Sequence, residues 1–182
     1  MTSSLVGSEM CIRDSNYILY RRLSMKFFYT GLNKFMWNHP FIKSCTHFTS
    51  RFCPYMVAIF YMLFLLKIYL DRPHNLLGLA AEPIAVFAIT AILRIVIDRK
   101  RPSEKYDLTP IDGSKKTGHS FPSIHVAMSI SIALAVLHFG PNMGLLLSTL
   151  AIAISLCRLL SGVHYLTDIL ASIAIAFIVN LI

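Results

Sequence analysis

Arg158-Leu-Leu-Ser-Gly-Val-His164-Tyr-Leu-Thr-Asp168 is a short polar insertion between two long apolar runs, Leu145–Leu156 before it and Ile169–Ile182 after it. Ser161-Gly162 marks a turn, and the spacing predicts a new helix starting close to His164. On such a helix His164 and Asp168, four residues apart, share one face. A carboxylate there can accept the Nδ1 proton of the imidazole, which leaves Nε2 to act as base or nucleophile. Arg158, just before the turn, carries a guanidinium that can fork onto an anion. A helix end with an incidental His/Asp pair is the competing explanation. It weakens because two stretches of matching chemistry lie upstream.

The apolar runs around this insertion set the fold class. The chain has 182 residues, 55% hydrophobic and only 14% charged, with mean hydropathy +0.62. An ordinary soluble domain carries about 25% charged residues. A bilayer crossing needs ~20 apolar residues. Cys53–Leu70, Leu76–Ile97, Ile124–Phe139 and Met143–Leu160 qualify, and Tyr165–Ile182 is just long enough. The expected fold is all-α: a polytopic membrane bundle of about five transmembrane helices. Met25–Thr49 adds an N-terminal interfacial amphipathic helix, with Trp37 and the lysines at headgroup level and a break at His39-Pro40. Residues 1–24 lack a signal-peptide apolar stretch, and Ser4–Ser15 resembles translated sequencing-adapter read-through. They are expected to be a non-native or disordered leader, with residues 25–182 as a single membrane-embedded domain.

The net charge of +8 would suggest nucleic acid in a soluble protein. Here the basic residues sit beside membrane spans, so membrane lipids and a phosphorylated lipid are the expected partners, and nucleic acid is not. Cys11, Cys45, Cys53 and Cys157 form no close CxxC pair, so neither a metal site nor a disulfide framework is expected. Glu82 lies about 18 Å along a helix from Arg94, which points to a structural or interfacial role.

The second span ends in Arg94-Ile-Val-Ile-Asp-Arg-Lys-Arg101-Pro102. Arg94 falls within the last apolar turns, a costly place for a cation unless it meets an anion. Arg99 and Lys100 are explained as positive charge flanking a membrane helix. Ser103–Phe121 is long for a loop in a compact domain, and such loops are usually functional or mobile. It leads into Pro122-Ser123-Ile124-His125, a helix start whose backbone N–H groups can bind phosphate oxygens. Ser123 adds a hydroxyl, and His125 lies in the first turn. With five spans, the Arg94–His125 and Arg158–His164 loops share one membrane face. Arginines, a helix start and two histidines on one face describe a phosphate-transfer pocket that needs no metal and no cofactor.

These three stretches resemble the motifs of the type 2 phosphatidic acid phosphatase family, within the acid phosphatase and haloperoxidase superfamily. The family patterns are KxxxxxxRP, PSGH and SRxxxxxHxxxD. Here Arg94 precedes Arg101-Pro102 by the same spacing, Pro122-Ser123-Ile124-His125 follows, and Cys157-Arg158 leads to His164 and Asp168. Arg94 stands where the family has lysine, Ile124 where it has glycine and Cys157 where it has serine. The Phe-Pro-Ser-x-His variant resembles the bacterial undecaprenyl pyrophosphate phosphatase branch. The resemblance implies that His164 attacks phosphorus, Asp168 orients it, and His125 serves as acid and then base. It also implies that Arg94, Arg101, Ser123, the Ile124 N–H and Arg158 hold the phosphate oxygens. The implied activity is hydrolysis of a lipid phosphate or pyrophosphate, in a multi-pass cell-membrane protein with its site on the extracytoplasmic face. The rival expectations are a degenerate relative that binds lipid phosphates without turnover, and a transporter. The second would need polar residues along a path through the bilayer.

Overall fold

The computed structural model describes residues 23–72, 75–114 and 117–182. Residues 1–22 of the expected leader lie outside the described residues; Leu23 and Ser24 already belong to a helix covering residues 23–38 (α1). The remaining helices are α2 (Pro40–Asp71), α3 (Leu76–Ile97), a short α4 (Pro102–Tyr106), α5 (Ile124–Phe139), α6 (Pro141–Leu160) and α7 (Leu166–Leu181). Among the described residues there is no strand. The protein is a helical membrane bundle. Three helical stretches are long and apolar enough to cross a bilayer: α2, α3 with its continuation to Tyr106, and α6. The apolar helices α5 and α7 have 16 residues each, about 24 Å at the helical rise.

The breaks follow local chemistry. Pro40 opens α2, Pro102 opens α4 and Pro141 opens α6, each at the start of its helix, where a missing N–H costs nothing. The expected break at His39-Pro40 is present. The expected start of the first span at Cys53 is not, because α2 runs without interruption from Pro40. Its first turns are polar, yet Thr46 and Ser50 are buried. Ser50 Oγ lies 3.1 Å from Ser161 Oγ, so the Ser50 side of the helix packs on a polar loop while Phe41, Phe48 and Phe52 stay exposed. A hydropathy reading has no way to register that partner.

α5 is the central helix, packing against α2, α3, α6 and α7. Ala127, Ser129, Ser131, Ala133 and Ala135 are buried along it. Such small side chains let helix backbones approach closely inside a membrane bundle. The closest approach is to α6, where a Cβ at Gly144 would meet the Leu137 backbone nitrogen at 2.8 Å. The core is completed by Val57, Tyr61, Phe64 and Ile68 from α2, Leu79 from α3, and Leu147 and Ile154 from α6. The outer faces expose Leu77, Ile95, Val96, Leu145 and Leu170. In water such faces would be a liability; in hydrocarbon they are the ordinary exterior. Glu82 accepts a 2.6 Å hydrogen bond from Asn180 Nδ2, tying α3 to α7 away from the polar cluster, which fits the structural role expected for it.

Candidate active site

The polar residues collect at the end of the bundle where α3 finishes, α5 starts, and α6 passes into α7. Two loops are stitched together there. Ser103 N–H donates to the Gly162 carbonyl at 3.1 Å, and Ile111 N–H to the Ser161 carbonyl at 3.3 Å. Ser120 N–H donates to the Arg99 carbonyl at 2.8 Å. The long loop is therefore pinned at three points. Gly118 is required at one bend: its φ is +61°, and a Cβ would sit 2.8 Å from Asp98 Oδ1. Its carbonyl accepts from Arg101 Nε at 3.1 Å, which holds that guanidinium in place.

A cavity of about 490 Å³ opens between these loops and α2. Arg94, Arg101, His125, Arg158 and His164 all line it, so five of the eight expected site residues meet in one cavity. Asp168 does not line it and is wholly buried. Ser123 and Ile124 are not among the lining residues. The Ser123 backbone N–H is committed to Ser172 Oγ at 2.8 Å, while the Ser123 hydroxyl is buried and has no hydrogen-bond partner among the described residues. Arg94 Nη1 lies 3.4 Å from the Pro122 carbonyl, next to the start of α5.

The structure keeps His164 and Asp168 together but corrects how they are held. His164 precedes α7, whose first residue is Leu166, so the two do not share a helical face. Asp168 Oδ2 is 3.7 Å from His164 Nδ1, too far for a hydrogen bond. Nδ1 is instead 2.8 Å from the Ser120 carbonyl oxygen. A carbonyl can only accept, so Nδ1 carries the hydrogen and Nε2 the lone pair. The intended tautomer is reached through a different partner. Asp168 organises the surroundings: it accepts from Ser120 Oγ at 2.5 Å, from Tyr165 N–H at 3.0 Å and from Arg99 Nη1 at 2.7 Å. One carboxylate thus fixes both Ser120, whose carbonyl anchors His164, and the start of α7.

Burial pushes the His164 pKa below the ordinary histidine value; Arg101 and Arg158 act in the same direction, and Asp168 pulls back. At neutral pH the ring is therefore uncharged, as a nucleophile or base must be.

Sequence reasoning passed over several contributors. Arg99 is more than a flanking charge, since it pairs with Asp168 and lies over the Tyr165 ring at 3.9 Å. Ser120 had no motif signal, because its carbonyl does the work and a carbonyl is the same in every residue. Asp112 pairs with Arg158 at 3.3 Å inside the cavity. Ser50, Arg51 and Tyr55 come from α2, a stretch expected to supply only the end of an interfacial helix and a span. A buried Asp168 calls for a cation, and that requirement was the one available pointer to Arg99.

The profile of the PAP2 superfamily matches residues 75–182, more than half of the chain. The chain belongs to the PAP2 superfamily. All eight expected site residues lie inside the matched stretch. The crystal structure of Aquifex aeolicus LpxE has the same fold, with TM-score 0.67 and 20% identity over 84% of this chain and 92% of that one. A crystal structure described as the first transmembrane PAP2 type phosphatidylglycerolphosphate phosphatase from Bacillus subtilis is also similar. Its TM-score is 0.48 and its identity 18%, over 89% of this chain and 93% of that one. No curated protein matches.

Proposed function

We propose that the protein is an integral membrane phosphatase that hydrolyses a lipid phosphate or pyrophosphate through a phosphohistidine on His164. The observation that carries this reading is the His164 ring, tied by Nδ1 to the Ser120 carbonyl at 2.8 Å, in a cavity shared with Arg94, Arg101, Arg158 and His125. The Nε2 lone pair attacks phosphorus, and the bond from phosphorus to the leaving oxygen breaks. His125 gives that oxygen its proton. A water then attacks phosphorus, His125 takes the water's proton, and the P–N bond breaks to restore His164. Arg94, Arg101 and Arg158 stabilise the equatorial oxygens, while Ser123 and Ile124, expected as further donors, stand at the start of α5 outside the cavity lining and act through the placing of His125. Asp168 acts through Ser120 and α7 to hold the nucleophile.

The substrate's tail lies in the bilayer beside the apolar outer faces, and its head enters the cavity. The reading includes five membrane crossings, residues 25–182 as one catalytic unit, and a site on the extracytoplasmic face. The arginines supply the positive charge, so catalysis needs no metal ion. Undecaprenyl pyrophosphate and phosphatidate-like lipids are the substrates the motif style favours.

The test uses detergent-solubilised protein with undecaprenyl pyrophosphate, phosphatidate and phosphatidylglycerophosphate side by side. Phosphate release should survive excess chelator. His164→Ala should release nothing and trap no label from ³²P-substrate. His125→Ala should lose roughly 10²–10⁴-fold in turnover and accumulate acid-labile phosphoprotein. Equal loss in both variants, with no trapped phosphoprotein in either, would overturn the role assignment.

A further inference from the structure

The cavity holds a carboxylate where a phosphate site should prefer none. Asp112 lines it together with Arg94, Arg101 and Arg158. Its Oδ2 is 3.3 Å from Arg158 Nη1. That is long for a charge-assisted hydrogen bond, for which about 2.7–2.9 Å is usual. Arg99 and Asp168 in the same site supply the contrast, a tight pair at 2.7 Å whose carboxylate also accepts from Ser120 and Tyr165. The Arg158 guanidinium is incompletely served: Nη2 donates to the Ser50 carbonyl at 3.0 Å, while Nε is buried with no partner among the described residues. A buried guanidinium with an unused N–H and one loose carboxylate contact is short of an acceptor.

Asp112 does not depend on Arg158 for its place. Its Oδ1 accepts from Ser114 N–H at 3.0 Å. The neighbouring backbone is held by Ile111 N–H on the Ser161 carbonyl and by Asn33 Nδ2 on the Thr109 carbonyl. Both Asp112 and Arg158 side chains are only 10% exposed, so water screens the pair poorly.

We propose that Asp112 is an anionic stand-in that occupies the Arg158 edge of the empty site, yields it to the substrate's phosphoryl group and, by competing for it, keeps the site from retaining inorganic phosphate. It tunes how strongly any phosphate is held. The proposal rests on reading the cavity as a phosphate site. A structural carboxylate would behave in the opposite way, since its removal would loosen the site for every ligand.

The experiment is calorimetric binding of inorganic phosphate and of orthovanadate to the full-length purified protein, a readout independent of turnover. Asp112→Asn keeps an oxygen for the Ser114 N–H and removes the charge. It should bind both anions on the order of tenfold more tightly than wild type, and phosphate should become a stronger competitive inhibitor by the same factor. Asp112→Ser, a second variant that keeps an acceptor oxygen, should show the same gain, and Asp112→Glu should not. Unchanged or weaker binding in the neutral variants would overturn the proposal while leaving the phosphatase reading intact. If wild type and variants all fail to bind either anion, the cavity is not a phosphate site and both readings fall together.

Discussion

His164 and its partners show how one atom can be held by an unexpected group. Where a carboxylate alone sets a catalytic histidine's tautomer, Asp→Asn costs about 10⁴-fold in turnover. Here the Ser120 carbonyl holds Nδ1 at 2.8 Å, and Asp168 stands at 3.7 Å. Asp168→Asn should therefore lose about 10²-fold, much less than His164→Ala, in a phosphate-release assay; a loss as deep as that of His164→Ala would make Asp168 the direct partner. The same ring carries a pH signature. Burial lowers the folded pKa of His164 below its ordinary 6.5. As pH falls through 6.5 the unfolded chain takes a proton that the folded one declines, so the unfolded state gains. The contribution is fully favourable above 6.5 and declines below it, down to the lowered folded value. Thermal unfolding at pH 7.5 and 5.5 should show a larger acid-induced drop in Tm for wild type than for His164→Gln.

At the scale of elements, the packing of α5 on α6 fixes where His125 and Arg158 stand relative to each other, since each sits at the site end of its helix. Gly144 is the narrow point of that packing, facing the Leu137 backbone, which cannot swing aside as a side chain could. Gly144→Ala should destabilise the protein by about 1–3 kcal/mol through overpacking, read as a lower Tm. A lowered kcat should accompany it, because the α6 end moves with the helix. An unchanged Tm would mean that the two helices part easily there. α1 fastens to the opposite end of the bundle from Gly144, beside the site. Tyr29 is buried, stacks 6.0 Å from Tyr106, meets Tyr165 edge-on at 5.5 Å, and accepts from Leu166 N–H at 3.2 Å. Tyr29→Phe keeps the rings and removes the acceptor from the start of α7, an expected cost of about 1 kcal/mol.

For the whole molecule, the arrangement of helix ends places both candidate-site loops at one end of the bundle and the short 140-region turn at the other. If five helices cross, a single cysteine at Asp107 and one at Asn142, each in a background without native cysteines, should react with a membrane-impermeant maleimide from opposite sides of the membrane. Labelling from the same side would remove a crossing between them. Exposed apolar side chains such as Leu77, Ile95 and Val96 cover the exterior, which is why such labelling belongs in vesicles or whole cells.

The apolar runs alone determined the helical membrane class, because hydrocarbon demands long uninterrupted stretches and these are visible in composition. Leu76–Ile97 and Ile124–Phe139 emerge with the bounds read from the sequence. The parity of the five expected crossings put Arg94, Arg101, His125, Arg158 and His164 on one face, and the structure gathers these five in one cavity. Tertiary structure decided what parity and hydropathy cannot express. Thr46 and Ser50 on the early part of α2 are buried, with Ser50 against the Ser161 loop. Arg99 found a buried carboxylate sixty-nine residues away. Asp112 entered the cavity on a loop whose path depends on three backbone hydrogen bonds to distant carbonyls. The His164 tautomer was settled by one such carbonyl, on Ser120, and a backbone oxygen leaves no mark in the sequence; only the fold brings it within reach.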